Sequence, residues 1–167
     1  RHPERIRTPG SGVRLEAFGS WNFDPGNTRL NYVNWGGELA GFLDVSGNNH
    51  VFALRLYLEV QEQTGPEPVP ISERLFLGGG TERLPGFLEG RFRGDSALLL
   101  SLQYRYPIWS FLDASLFVSA GNVFTGRFDD FAFRRMVMTW GIALRTNTSR
   151  DVSFDLMVAF GTNQLGL

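Results

Sequence analysis

Apolar and polar side chains alternate one by one along most of this chain, the period of an extended strand whose two faces meet different surroundings. Seven stretches carry the pattern, at about 12–22, 32–44, 51–61, 97–106, 111–121, 135–145 and 151–161. Sorting each by parity yields one strongly apolar row. Phe52, Leu54, Leu56, Leu58 and Val60 oppose Arg55, Tyr57, Glu59 and Gln61; Leu98, Leu100, Leu102, Tyr104 and Tyr106 form the corresponding row of the fourth stretch. No charge falls on the apolar row of any of the seven. Helical periodicity is nearly absent, and the expected fold is all-β.

Two architectures produce such rows: a soluble β-sandwich with the apolar face inward, or a transmembrane antiparallel β-barrel with it outward. Alternation does not choose between them. Stretches of about 10 or 11 residues match a tilted strand crossing a bilayer, against about 5–6 for an ordinary soluble strand. Connections also alternate in length. "VSGNN", "PIWS" and "TNTSR" are short, whereas "NFDPGNTRL", the segment 64–96 and "NVFTGRFDDFAF" are long, which gathers the long loops at one rim. Tyr104, Tyr106 and Trp109 collect near a short-turn end, where amphipathic rings favour a membrane interface. These features favour the barrel. Seven strands do not close one, because free edges leave backbone groups unpaired in hydrocarbon, so the remainder of the chain's own barrel is an expected partner.

Composition narrows the chemistry. The 16 basic and 17 acidic side chains nearly cancel, giving a net charge of −1 and no field that calls for nucleic acid. Every basic residue is arginine, so the edge lysines common on soluble sheets are missing. With no cysteine there is neither a disulfide framework nor thiolate chemistry. The two histidines, His2 and His50, fall at the start of the sequence and in a short turn, so no catalytic residue, metal ligand or cofactor is expected, and the chain does not read as an enzyme. Asp129 and Asp130 read as a solvated loop tip rather than a calcium site.

One stretch needs a separate explanation: "GGGTERLPGF", 78–87, inside the longest connection. No Gly-Lys-Ser or Gly-Lys-Thr follows it and no helix begins after it, so it is not a phosphate loop. Consecutive glycines allow positive φ and close approach of main chain to a wall.

The segment "PISERLFLGGGTERLPGFLEGRFRGDSALLLSLQYRYPIW", 70–109, resembles the signature region of the Omp85 superfamily, the bacterial surface antigen (D15) barrel. Leu77, Gly78, Gly79, Pro85, Gly86, Phe87, Gln103, Tyr104, Arg105, Tyr106 and Pro107 fall on its motif positions. "LDASLFVSAGNVF" at 112–124 and "WGIALRTNT" at 140–148 are similar to the strands that follow in the family, and "RTPGSGVRLEA" at 7–17 to the turn that opens its third barrel quarter. The resemblance spans nearly the whole chain in order. It implies about seven strands from the second half of a barrel of about sixteen, three before the long loop and four after, with a last strand beyond Leu167. It also implies that residues 1–167 are one partial barrel and that a loop at about 63–96 is directed into the lumen.

Three departures bear on that loop. Where the family has a loop arginine this chain has Pro85, and where it has a wall glutamate and aspartate this chain has Gln103 and Ser119. In the family the arginine meets the two acids inside the barrel, and removing one partner alone would strand a buried charge. Here all three are changed together. The expected loop element is therefore Gly78, Gly79, Gly80, Arg83, Pro85, Gly86 and Phe87, held by Phe87 packing and by neutral contacts to a wall of Gln103, Ser119 and Arg105, with Arg83 as a partial substitute. The function implied is insertion, assembly or translocation of outer-membrane or secreted polypeptides at the bacterial outer membrane, with lipid around the apolar face. Alternatives are a barrel that anchors an upstream patatin-like lipase and the soluble β-sandwich.

Overall fold

In a computed structural model the structure describes residues 11–23, 31–47, 50–79, 83–109, 111–146 and 154–162. Nine strands occur there: β1 (Gly12–Phe23), β2 (Asn31–Asp44), β3 (Val51–Gln63), β4 (Leu75–Leu77), β5 (Phe92–Gly94), β6 (Ser96–Trp109), β7 (Leu112–Phe124), β8 (Val137–Thr146) and β9 (Asp155–Thr162). Seven form one antiparallel sheet in the order β1-β2-β3-β6-β7-β8-β9, and β4 pairs with β5 as a separate small hairpin. Each long strand therefore lies beside its sequence neighbour, as the alternating short and long connections predict. The sheet is open, and β1 and β9 each have one neighbour.

Strand length matters for where such a sheet can reside. β2 and β6 run 14 residues and β3 and β7 run 13. At roughly 3.3 Å per residue a 13-residue strand is about 43 Å long, and tilted by about 45° it rises about 30 Å, the thickness of a hydrocarbon core. The apolar rows face outward. Leu15, Leu39, Leu54, Leu56, Leu100, Leu102, Leu116, Ile142 and Leu156 are all exposed, so the packed sandwich centre that would cover them is not present among the described residues. An outward apolar row opposite a charged face is the arrangement of the barrel rather than of the soluble β-sandwich.

Aromatic rings mark both ends of the sheet. Phe52, Tyr104 and Tyr106 stack at the short-turn end, where His50 Nδ1 lies 2.9 Å from the Tyr104 hydroxyl and Trp109 stacks on Phe111. Trp21 and Phe23 lie together at the long-loop end. Trp35 Nε1 there donates to Glu62 at 2.9 Å. His50 is thus part of a rim of rings, through its contact with Tyr104.

The opposite face carries the charges in ordered pairs. Glu38 accepts from Arg14 at 2.8 Å and lies 3.3 Å from Arg55, and Arg145 meets Asp155 at 2.8 Å. This polar face also holds the dry core of the described part: Tyr57, Leu77, Leu84, Phe87, Ala97, Leu99 and Val137. Three of the seven come from the connection between β3 and β6, which folds back across the sheet.

Candidate functional site

The connection between β3 and β6 leaves the sheet after Gln63 and is tied down at its start. Gln61 donates to the Glu73 carbonyl at 2.9 Å, and the Tyr32 hydroxyl donates to the Glu73 carboxylate at 3.2 Å. The β4–β5 hairpin follows, and Arg93 reaches across to donate to the Ile71 carbonyl at 2.8 Å. Asp95 completes the return to the sheet: its N–H donates to Phe124 O at 2.9 Å and its carbonyl accepts from Gln61 N at 2.7 Å. The segment expected as a long loop directed into the lumen contains a hairpin and a 3-10 turn at Ile71–Glu73. Its two ends bond to the main sheet, through Thr64 and Gly65 to Asn31 and through Asp95 to Phe124 and Gln61, while its middle satisfies backbone groups within itself.

The glycine-rich motif forms the far tip. Gly78 and Gly79 have φ of 100° and 87°, and the Gly79 N–H donates to the Phe87 carbonyl at 3.0 Å, closing the tip on itself. Gly80 lies outside the described residues. Leu84 is fully buried and adopts φ 53°, a region L side chains rarely occupy, so the packing beneath the tip holds it there. Gly86, at φ 93°, sits where an added Cβ would come within 3.3 Å of Ala159 and of the Phe160 backbone. Phe87 packs edge-on against Phe92 at 5.1 Å and occupies the space above Gly161. Burying Leu77, Leu84 and Phe87 contributes about 1.5–3 kcal/mol each. A net hydrogen bond contributes about 1 kcal/mol, so apolar packing is the larger hold on the tip.

Two polar contacts fix its position. The Thr139 hydroxyl, fully buried, donates to the Pro85 carbonyl oxygen. The Arg83 guanidinium lies 4.3 Å from the Tyr57 ring centroid, and the Tyr57 hydroxyl donates to Glu59. Arg83, Pro85, Gly86 and Phe87 are therefore brought together on the polar face.

The residues expected as the wall sit close by but bond differently. Ser119 is buried, and its hydroxyl pairs with that of Ser101 across the β6–β7 register. Thr139, which holds Pro85, lies directly opposite Ser119 in the β7–β8 register. The contact to the tip therefore falls one strand further along than the expected wall, on β8, and it is made to the Pro85 carbonyl. Gln103 and Arg105 border a cavity of about 170 Å³ together with Pro85, Ser119, Arg55 and Arg145.

Tyr57, Thr139 and Leu84 did not stand out as site residues from the sequence. One signal was present: in "ALLLS", 97–101, Leu99 interrupts the alternation, and an unbroken apolar run marks a strand covered on both faces. Leu99 lies under the tip.

Outside the sheet, the β7–β8 connection is organised by the acidic pair. Asp130 accepts the Thr125 N–H at 2.7 Å and pairs with Arg135. The backbone bond, and then Arg135, hold its carboxyl below the usual aspartate value. Arg127 reaches back to Glu62 at 2.6 Å, and that pairing raises its affinity for its proton. No group of three or more potential metal-ligating side chains occurs among the described residues.

Comparison with known proteins bears on this arrangement. The family model described as the Omp85 superfamily domain matches residues 4–162. Among solved structures, a crystal structure of BamA from Haemophilus ducreyi lacking POTRA domains 1–3 superposes with a TM-score of 0.77 at 19% identity, over 99% of this chain and 38% of that one. The chain thus spans less than two fifths of that protein's length, and the likeness is one of fold. A search of curated proteins found no match.

Proposed function

The chain belongs to the Omp85 superfamily, and from that premise we propose that it forms part of a barrel that inserts or translocates polypeptides, with the 64–95 connection as a plug element inside it. Its setting is the bacterial outer membrane. The exposed leucine rows meet acyl chains, and the paired arginines and carboxylates face an enclosed aqueous lumen. Further strands of the same barrel satisfy the outer edges of β1 and β9, since unpaired backbone in hydrocarbon costs several kcal/mol per group. Outer-membrane or secreted polypeptides are the clients, and no bond is made or broken.

The observation that carries this reading is the tip itself: Leu84 and Phe87 packed beneath a chain segment that crosses the polar face, held by Thr139. A segment fixed in this way occupies the route that an extended polypeptide would take, so its release and the passage of a client are coupled. The chain has no cysteine of its own, and with any cysteine elsewhere in the full protein replaced by serine a pair introduced at Pro85 and Thr139 can be joined selectively. In proteoliposomes of the full protein, joining the pair is expected to stop client delivery and a reductant to restore it. Delivery at an unchanged rate with the pair fully joined would contradict the proposal.

A further inference from the structure

Between the tip at Pro85 and the short-turn end, the polar face holds the cavity of about 170 Å³. Arg55, Arg105 and Arg145 border it beside Asp113 and Asp155. Two of the arginines are committed: Arg55 lies 3.3 Å from Glu38 and Arg145 lies 2.8 Å from Asp155. Arg105 is half-buried, and Asp113 and Arg145 act on it only through longer-range electrostatics, with no hydrogen bond or close ion pair to it among the described residues. The Gln103 amide, two residues along the same face, is likewise half-buried and unbonded among those residues. A partly desolvated guanidinium left without a matched acceptor is costly, and its planar fork fits a carboxylate through two parallel bonds.

We propose that Arg105 and Gln103 form a binding site for a single carboxylate carried by a polypeptide, the side chain of an aspartate or glutamate lying along the polar face. The guanidinium fork and its acidic neighbours select this class. One carboxylate takes the two parallel bonds of the Arg105 fork, whereas a phosphate dianion would bring twice the charge beside Asp113 and Asp155. The remaining walls suit a carbon stem, because Phe117, Ala143 and Met157 supply apolar surface next to the arginine. The site rests on the reading of polypeptide passage given above and adds a side-chain preference to it: acidic residues pause where neutral ones slide by.

The test uses the full protein in lipid nanodiscs and a pair of labelled extended peptides that differ only in glutamate against glutamine, read by fluorescence anisotropy. Charged hydrogen bonds of this kind correspond to a preference of about tenfold for the glutamate peptide. Arg105→Gln is expected to erase that preference and Arg105→Lys to retain part of it. Gln103→Glu offers Arg105 an internal carboxylate, so it too should erase the preference while leaving heat-modifiable migration intact. Should Arg105→Gln fail to fold, Gln103→Glu decides the matter. Equal binding of the two peptides to the unaltered protein, a preference that survives Gln103→Glu, or displacement by inorganic phosphate as effective as by glutarate at matched ionic strength would overturn the site. Failure of the transport reading looks different: the glutamate preference would persist in a protein that delivers no client.

Discussion

The Arg83 guanidinium stands 4.3 Å above the ring of Tyr57, a residue of β3 whose own hydroxyl is engaged by Glu59. A cation of the connecting segment is thereby held by the quadrupole of a ring on the sheet rather than by a wall carboxylate, a contact whose strength depends on the desolvation that burial of Tyr57 provides. Replacing Arg83 by glutamine is expected to speed hydrogen exchange of residues 77–79 and 83–92 by roughly 2- to 30-fold, matching about 0.5–2 kcal/mol for such a contact. In a Tyr57→Leu background the same replacement should add little. Full additivity of the two changes would mean that the ring does not hold the cation.

Thr139 and Ser119 face each other across β7 and β8, yet only Thr139 bonds to the tip. Thr139→Val keeps the volume and leaves the Pro85 carbonyl without its donor, a loss of about 1–3 kcal/mol for a buried group. Protease cleavage within 64–95 should accelerate accordingly. Ser119→Ala, which removes only the bond to Ser101, should leave the cleavage rate close to that of the unaltered protein; the reverse order of the two effects would place the tip elsewhere on the wall.

Gly86 combines φ 93° with a wall at 3.3 Å. Gly86→Ala therefore meets both an unfavourable backbone region, at about 1–2 kcal/mol, and the β9 main chain. The tip is expected to lift from β9, seen as loss of the NMR cross-peak between the Phe87 ring and Gly161 while the sheet strands keep their amide protection. A variant that keeps the Phe87–Gly161 cross-peak unchanged would show that β9 can give way.

Much of this was legible in the amino-acid sequence, because strand parity is a local property. The seven long strands follow from period-two alternation, and the outward direction of Leu54, Leu100 and Leu102 follows once strand length and the alternation of short and long connections are added. The tip was legible through Gly78, Gly79 and Gly86, which announce unusual φ. What holds the tip was not. Whether Pro85 meets Ser119 or Thr139 depends on how far the segment reaches across the sheet, and that distance is set by the β4–β5 hairpin, three-residue strands too short to register against background. Arg83 was identifiable as the nearby cation, but its partner Tyr57 sits in an ordinary alternating strand and carries no mark in the sequence.

The β7–β8 connection should respond to acid. Asp130 has a carboxyl held below the usual aspartate value by the Thr125 N–H and by Arg135. A lowered value means that its contribution is complete above the ordinary aspartate range and is lost as pH falls through the lowered one. The Thr125 amide is therefore expected to keep its hydrogen-bonded NMR shift down through the ordinary aspartate range and to lose it only below. Asp130→Asn should remove that transition. A midpoint at or above the ordinary aspartate value would contradict the pairing.

The orientation of the strand faces underlies everything else, and spin labels along β6 measure it directly. Labels placed singly at Ala97, Leu98, Leu99, Leu100, Ser101 and Leu102 of the full protein in bilayers report contact with lipid-soluble oxygen and with a water-soluble nickel chelate. Oxygen contact should peak at 98, 100 and 102, with 97 and 99 shielded from both reagents beneath the tip and 101 favouring the chelate over oxygen. Oxygen contact that peaks at 97, 99 and 101, or that shows no alternation, would contradict the outward leucine face and the lumen with it.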